Sequence, residues 1–217
     1  MILAAGRGQR LAPLTDTLPK PLVEVGETTL IERHLARLAT AGIREIVINV
    51  AHLGHLIEAC LGDGRAYGVS IAYSREACGP LETGGGIARA LPLLGNAPFV
   101  VVNADVWTDF PFHLGSTPAA PAHLVLVENP AHHPDGDFNL NGDRATRGAP
   151  HRYTYAGIGV FAPSLFHGRS TPRFALAPLL FELAEAGRLS AEIHHGRWFD
   201  IGTAERLQAA RRAVAQG

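Results

Sequence analysis

The 217-residue chain has almost no lysine: Lys20 stands alone against eighteen arginines. Arginine fills nearly every other basic position, so the ammonium at 20, between Pro19 and Pro21, calls for a site where a guanidinium would not serve. An ammonium is a compact point charge on a flexible stem, whereas a guanidinium is planar and larger. Cysteine is nearly missing too. Cys60 and Cys78 are too few for a disulfide framework or a four-ligand zinc site, and point to a reducing cytosol. Charge of one sign is missing: the net charge is -1, which excludes the basic field that would draw nucleic acid or an anionic membrane. An anionic ligand would have to be gripped locally. No apolar run reaches the ~20 residues of a membrane span, and "MILAAGRGQR" has no apolar stretch of signal-peptide length. Repeats, low-complexity tracts and linkers are also missing, so residues 1–217 read as a single domain large enough to bury a substantial core.

What is present is an alternation. "MILA" is a short apolar strand running into glycine. "TTLIERHLARLATAG" places Leu30, Ile31, His34, Leu35, Leu38 and Ala41 at helical spacing, with Thr28 or Thr29 as the cap and Gly42 as the stop. "EIVINV" (45–50) is β-branched and nearly all apolar, a buried strand. The spacing predicts a helix over 53–61, a strand over 69–74 and a helix over 85–94 that stops at Pro92. "FVVVNAD" (99–105) is the most apolar strand and closes on a carboxylate, and "HLVLVEN" (123–129) is the next strand. This βαβαβαβ order predicts a parallel sheet with helices on both faces. Residues 129–152 are polar and rich in Gly, Pro and Asn, either a long loop or a short hairpin. Strand character returns at 153–161 and 197–202, helical character at 178–187 and after Thr203.

In parallel α/β sheets ligands sit beyond the carboxyl ends of the strands. The first such end is "LAAGRGQRLAPLT". Gly6 and Gly8 permit a sharp turn and close approach, and exposed N–H groups there could cradle phosphate; a plain connecting turn fits the glycines equally well. A Rossmann dinucleotide loop does not fit, because the third glycine is missing and Pro13 blocks a long helix. Asp105 and Asp200 each close an apolar strand, where a carboxylate needs a cation or hydrogen-bond partners. Two such carboxylates suit Mg2+, which takes one or two carboxylates with phosphates and waters; a turn or helix cap is the competing role, especially for Asp200 in "DIGT". Asp109 reads as a turn or cap residue. The pairs His132–His133, His194–His195 and His52–His55 lack tight ligand spacing and read as solvated loops.

The run "GRGQRLAPLTDTLPKPL" resembles the signature of the sugar-1-phosphate nucleotidylyltransferases, and residues 3 to 22 match it nearly continuously. The resemblance continues through "GPLETGGGIARAL" (79–91), similar to the family's base-recognition loop, "VVNADVW" (101–107), similar to its metal-binding aspartate motif, and "YAGIGVF" (155–161) and "RWFDIGT" (197–203), similar to its sugar-side strand and second metal ligand. It implies a doubly wound α/β core with a mostly parallel sheet, helices on both faces and a small β insertion on the sugar side. It implies attack of a sugar 1-phosphate on the α-phosphorus of a nucleoside triphosphate with loss of pyrophosphate, Mg2+ as cofactor and a cytoplasmic setting. Oligomeric state is left open and a monomer is compatible. "PLETGGGI", "NADVWTD" and the short length look most like the branch of peptidoglycan recycling that uses UTP and N-acetylmuramate 1-phosphate. A hexose-1-phosphate enzyme using GTP or dTTP, or a non-catalytic nucleotide-sugar-binding protein on the same fold, are the alternatives. A glycosyltransferase would carry D-x-D where this chain has "ADVW".

Residue by residue, the resemblance implies that Leu3, Ala4, Ala5, Gly6, Gly8, Gln9 and Arg10 contact the nucleotide, with Arg10 on the outer phosphates. It places Lys20 between the α-phosphate and the sugar phosphate. Pro80, Glu82, Gly84, Gly85 and Asn103 would serve the base side, where Glu82 could equally be a helix-start acid and Asn103 a strand cap. Asp105, Asp137, Asn139 and Gly157 would serve the sugar, and Asp105 and Asp200 the metal. Arg10, Lys20 and Asp105 form the catalytic set. Many family members carry a second lysine on the sugar phosphate; Arg144, Arg147 or Arg152 are the candidates to replace it. A phosphate monoester is already anionic near neutrality, with a second pKa near ~6, so no general base is needed. Positioning and cationic stabilisation carry such a reaction.

Overall fold

The computed structural model describes residues 1–76, 79, 81–112, 120–148, 150, 152–168 and 172–216. The chain divides into two compact units, Met1–Leu81 with Asn103–His113 and Arg197–Gly217, and Glu82–Val102 with Leu114–Gly196.

In the first unit the predicted alternation is present. Ile2–Leu3 pairs parallel with Glu45–Val50, with Leu3 opposite Asn49, and Glu45–Val50 pairs parallel with Ser70–Arg75. Helices Leu30–Thr40 and Gly54–Leu61 make the intervening connections. Thr29 is the cap of the first. Its hydroxyl accepts from Glu32 N while the Glu32 carboxylate accepts from Thr29 N, a reciprocal capping box. That hydrogen bonding, led by the Thr29 side chain, holds the Glu32 carboxyl below its ordinary pKa. The helix buries Leu30, Ile31, His34, Leu35 and Leu38, the face read from the sequence. Thr28 and Thr29 also pair with Glu24–Val25 in a tight hairpin around Gly26, which the sequence reading did not include.

Strand Val106–Thr108 pairs antiparallel with Trp198–Asp200. Helix Ala204–Ala215 follows, capped by the Thr203 hydroxyl accepting from Arg206 N. Leu11, Val23, Val25, Leu30, Trp107, Ile201, Leu207 and Ala210 form one apolar cluster, so the two ends of the chain share a core.

In the second unit the sheet is mixed. Tyr153–Phe161 lies antiparallel between Phe99–Asn103 and Ala122–Glu128, and Leu189–Ile193 then pairs parallel with Ala122–Glu128. The antiparallel step has a simple cause. A parallel return needs a crossover of a dozen or more residues, usually a helix, and the described residues of 129–152 hold none. They hold the hairpin Asn139–Asn141/Arg144–Thr146 instead, turning at Gly142 with φ 60, as an Asn-Gly pair favours. Strand Leu189–Ile193 was not predicted. Helix Glu82–Leu94 starts earlier than its periodicity suggested and runs past Pro92, because a proline near a helix end forfeits only one hydrogen bond. Helix Leu176–Glu185 completes the unit. The α/β class and the mixed, mostly parallel sheet agree with the sequence reading.

Candidate active site

The glycine loop leaves Ile2–Leu3 at Ala4, whose N–H donates to Asn49 Oδ1 at 2.8 Å. Gly8 sits at φ 66, where an added Cβ would lie 3.0 Å from Thr15 Cγ2 and 3.4 Å from Lys20 Cβ. Its carbonyl accepts from the Thr15 hydroxyl and from Leu11 N. Gly8 is therefore glycine for conformation and for packing over Thr15 and the Lys20 stem. Gly6 differs: a Cβ there would meet no described atom within 4 Å, so its backbone is open to a ligand. Gln9 and Arg10 are exposed on the single 3-10 turn Gln9–Leu11, which Leu11 pins into the core.

Lys20 opens another short turn, Lys20–Leu22, directly after extended Pro19. It is buried, and its Nζ lies 2.5 Å from Asp105 Oδ2. Two residues 85 apart in sequence, both predicted catalytic, are thus in contact. Asp105 lies two residues beyond the end of Phe99–Asn103 and just before Val106–Thr108. Ala104 N donates to Leu3 O, and Ile201 N donates to Asp105 O at 2.8 Å. Asp200 lies opposite Val106 in the antiparallel ladder. The ladder therefore brings the backbones of the two predicted metal ligands near one another, while their carboxylates take separate cations. Asp200 Oδ2 takes its own cation, Arg206 Nη1, at 2.5 Å. A Cβ at Gly202 would lie 2.5 Å from Arg206 Cζ, so the glycine leaves room for the guanidinium to fold back over the carboxylate. Among the described residues no group of three or more His, Cys, Asp and Glu side chains is arranged for a metal. The two-carboxylate set is one that leaves coordination places for phosphates and waters. Asp109, read as a turn or cap residue, instead ties two distant segments: its N–H donates to Arg197 O and its side chain accepts from Arg197 N.

His34, placed on the buried helix face by its spacing, is 1 % exposed, neither ring nitrogen has a well-formed hydrogen bond, and burial pushes its pKa down to about 4. Arg206 was not legible in sequence, nor was the pair Asn49 and Glu76, both buried, joined by Asn49 Nδ2 to Glu76 Oε1 at 2.7 Å. Their only sequence signal is a polar residue inside "EIVINV" and a carboxylate just after "SIAYSR".

In the second unit Glu82 begins its helix at φ 61, a conformation uncommon for a residue with a Cβ, and its Oε1 pairs with exposed Arg173 at 3.1 Å. Gly84 has a packing reason to be glycine: a Cβ there would come within 2.3 Å of the Phe174 ring. The next residue, Gly85, donates its N–H to Phe174 O. Pro80 lies outside the described residues. Asn103 ends its strand half-buried. Asp137 accepts from Tyr155 N at 2.9 Å and contacts His133 Nε2 at 3.2 Å. Asn139 donates to the carbonyls of Gly148 and Pro150 and accepts from Arg152 N. Both side chains thus organise the segment around them. Gly157, at φ 73, sits at the register break between Tyr155 and Ile158, a bulge that re-aims the strand. Of the arginines proposed for the sugar phosphate, Arg147 stacks on Phe181 and donates to Asp137 O, Arg144 donates to Gly187 O, and Arg152 is exposed.

Residues 1–120 match the model of the nucleotidyl transferase family, and the chain belongs to that family. Among curated proteins it is 52% identical, over 97% of its own length and 96% of the relative's, to the N-acetylmuramate alpha-1-phosphate uridylyltransferase of Neisseria meningitidis serogroup B. It is 35% identical to the protein of the same description from Caulobacter vibrioides, over 100% of this chain and 96% of that one. Among solved structures, a candidate glucose-1-phosphate thymidylyltransferase from Bacillus anthracis superposes with a TM-score of 0.87 at 21% identity, covering 98% of this chain and 93% of that one; this likeness is one of fold.

Proposed function

We propose that this protein transfers a uridylyl group from UTP to N-acetylmuramate 1-phosphate, giving UDP-N-acetylmuramate and pyrophosphate in the cytoplasmic recycling of peptidoglycan. The substrates are those named for the two uridylyltransferase relatives. The chemistry rests on one observation, the buried Lys20 ammonium in contact with Asp105, on the strand end that adjoins Asp200.

The attacking oxygen of the sugar phosphate is already anionic, so the protein has to bring two polyanions together rather than remove a proton. Lys20 lies on a backbone restricted by Pro19 and Pro21, and supplies a fixed positive charge between the two phosphates. Arg10, exposed on its turn, steadies the outer phosphates as pyrophosphate leaves. The open backbone at Gly6 receives the nucleotide, with Leu3, Ala4, Ala5, Gly8 and Gln9 shaping the loop. Asp105 and Asp200 would hold Mg2+, which neutralises phosphate charge when bound. Pro80, Glu82, Gly84, Gly85 and Asn103 are proposed for the base side. For the sugar side, Asp137, Asn139 and Gly157 are proposed to set the backbone that the sugar meets, in keeping with their internal hydrogen bonds.

The test is pyrophosphate release by the purified protein with UTP, GTP, dTTP or CTP against several sugar 1-phosphates. The proposal expects the UTP and N-acetylmuramate 1-phosphate pair to give the highest kcat/KM. A preference for GTP or dTTP with a hexose 1-phosphate would reassign the branch, and no turnover with any pair would favour a binding protein.

A further inference from the structure

Three adjacent parallel strands end at the same edge, and a buried polar chain crosses all three ends. Ala4 follows Ile2–Leu3, Asn49 lies at the end of Glu45–Val50 and opposite Leu3, and Glu76 follows Ser70–Arg75. Ala4 N donates to Asn49 Oδ1 at 2.8 Å. Asn49 Nδ2 donates to Glu76 Oε1 at 2.7 Å. The other carboxylate oxygen, Oε2, accepts from Leu81 N at 2.8 Å. Glu76 N is itself tied to Val50 O. Asn49 and Glu76 are 3% and 5% exposed. Residues this polar are rare at such depth unless every group is satisfied, and here each oxygen and the amide nitrogen has a named partner.

The polarity of the chain is fixed by its ends. Ala4 N and Leu81 N are donors, so two acceptors must face outward with one donor–acceptor contact between them. Asn49 beside the two carboxyl oxygens of Glu76 meets that requirement. Neither side chain reaches for a ligand. Each holds a backbone segment: Ala4, at the start of the glycine loop, and Leu81, at the start of "LETGGG". The carboxyl ends of parallel strands are where such folds bind ligands.

We propose that Asn49 and Glu76 are positioning residues for the nucleotide, one relay that sets the glycine loop and the base-side segment in a common register so that UTP is bound and selected. The proposal rests on the uridylyltransferase reading given above.

The single variants Glu76→Gln and Asn49→Asp each break the polarity. A glutamine cannot accept from both Asn49 Nδ2 and Leu81 N, and an aspartate at 49 sets two acceptors face to face. A buried mismatch of this kind is worth ~10-fold to ~100-fold in an equilibrium. The exchange variant Asn49→Asp with Glu76→Gln restores it: Ala4 N to Asp Oδ1, Gln Nε2 to Asp Oδ2, and Leu81 N to Gln Oε1. Steady-state kinetics with UTP and with GTP, dTTP and CTP, alongside melting temperatures, test the relay. Each single variant is expected to raise KM for UTP at least ~10-fold and to erode base selectivity, with kcat within about threefold, and the exchange variant to recover both. Two results overturn the proposal. If single variants melt lower but keep the parent KM and selectivity, the chain is scaffold only. If KM rises and the exchange variant does not recover, the carboxylate acts by itself. Should the parent prefer another triphosphate, the uridylyl reading fails, and the same three variants are read with the preferred one.

Discussion

Lys20 Nζ and Asp105 Oδ2 stand 2.5 Å apart, joining the proline-flanked turn near the start of the chain to the end of its most apolar strand. The lysine side chain is 10% exposed and the aspartate 37%. The cation is the enclosed partner, and the carboxylate keeps a side toward solvent. That asymmetry suits a charge set in place before any phosphate arrives, because an enclosed charge without a partner is costly.

Lys20→Arg should lose most activity while the fold survives. A guanidinium is bulkier and prefers one phosphate bidentately, and a reactant misplaced by ~1 Å costs about 10²-fold. Turnover is compared with melting temperature for Lys20→Arg and Lys20→Ala. A kcat for Lys20→Arg within about threefold of the parent would make the lone lysine an accident of composition.

Asp105→Asn and Asp200→Asn should each cut turnover by at least ~10²-fold, the scale of losing an electrostatic catalytic group. Both should also lower the melting temperature, since Asp105→Asn leaves the Lys20 charge, and Asp200→Asn the Arg206 charge, enclosed without its counter-ion. EDTA should abolish parent activity and added Mg2+ restore it. Full activity of both variants in EDTA would remove the metal role.

His34 makes stability depend on pH. Its pKa is pushed from 6.5 to about 4 by burial, with Arg33 adding to the shift and the Val106 and Asn103 backbone and Asp105 opposing it. The unfolded chain therefore takes up this proton at a pH where the folded chain does not. The contribution is complete above pH 6.5, shrinks as pH falls, and is gone below about 4, a change of ~3 kcal/mol. Denaturant unfolding of the parent and His34→Gln between pH 7 and 4 checks this: the variant should lose much of the slope. An unchanged slope would place the acid sensitivity elsewhere.

Gly84→Ala separates packing from ligand approach. The new methyl would come within 2.3 Å of the Phe174 ring, and overpacking of this kind costs ~1–3 kcal/mol. The melting temperature should fall by several degrees in the absence of any nucleotide, and Phe174→Ala in the same chain should recover part of it. A loss of UTP affinity with no change in melting would show that Gly84 is glycine for the base alone.

Much of this was legible in sequence because the signals are local. The Leu30–Thr40 helix announced itself by spacing, by a threonine cap before it and by Gly42 after it, and the alternation through residue 75 gave the parallel strands. Lys20, Asp105 and Asp200 stood out because each is a charge where the surrounding composition forbids one. What stayed hidden was pairing over long distances. Strand Leu189–Ile193 takes its place from Ala122–Glu128 on one side and Arg144–Thr146 on the other. Arg206 is one arginine among eighteen until Asp200 is seen 2.5 Å away. Asn49 and Glu76 are unremarked polar residues until both are buried and bonded. Gly84 also packs against the Phe174 ring, and nothing in a sequence points from one to the other across ninety residues.

The most direct measurement of the central claim is kcat/KM for pyrophosphate release with UTP and N-acetylmuramate 1-phosphate, in the parent and in Lys20→Arg, under identical Mg2+. The account predicts that this pair exceeds every other triphosphate and sugar 1-phosphate combination for the parent, and that the variant falls by about 10²-fold with an unchanged melting temperature. A parent that releases no pyrophosphate from UTP, or a variant as active as the parent, would contradict it.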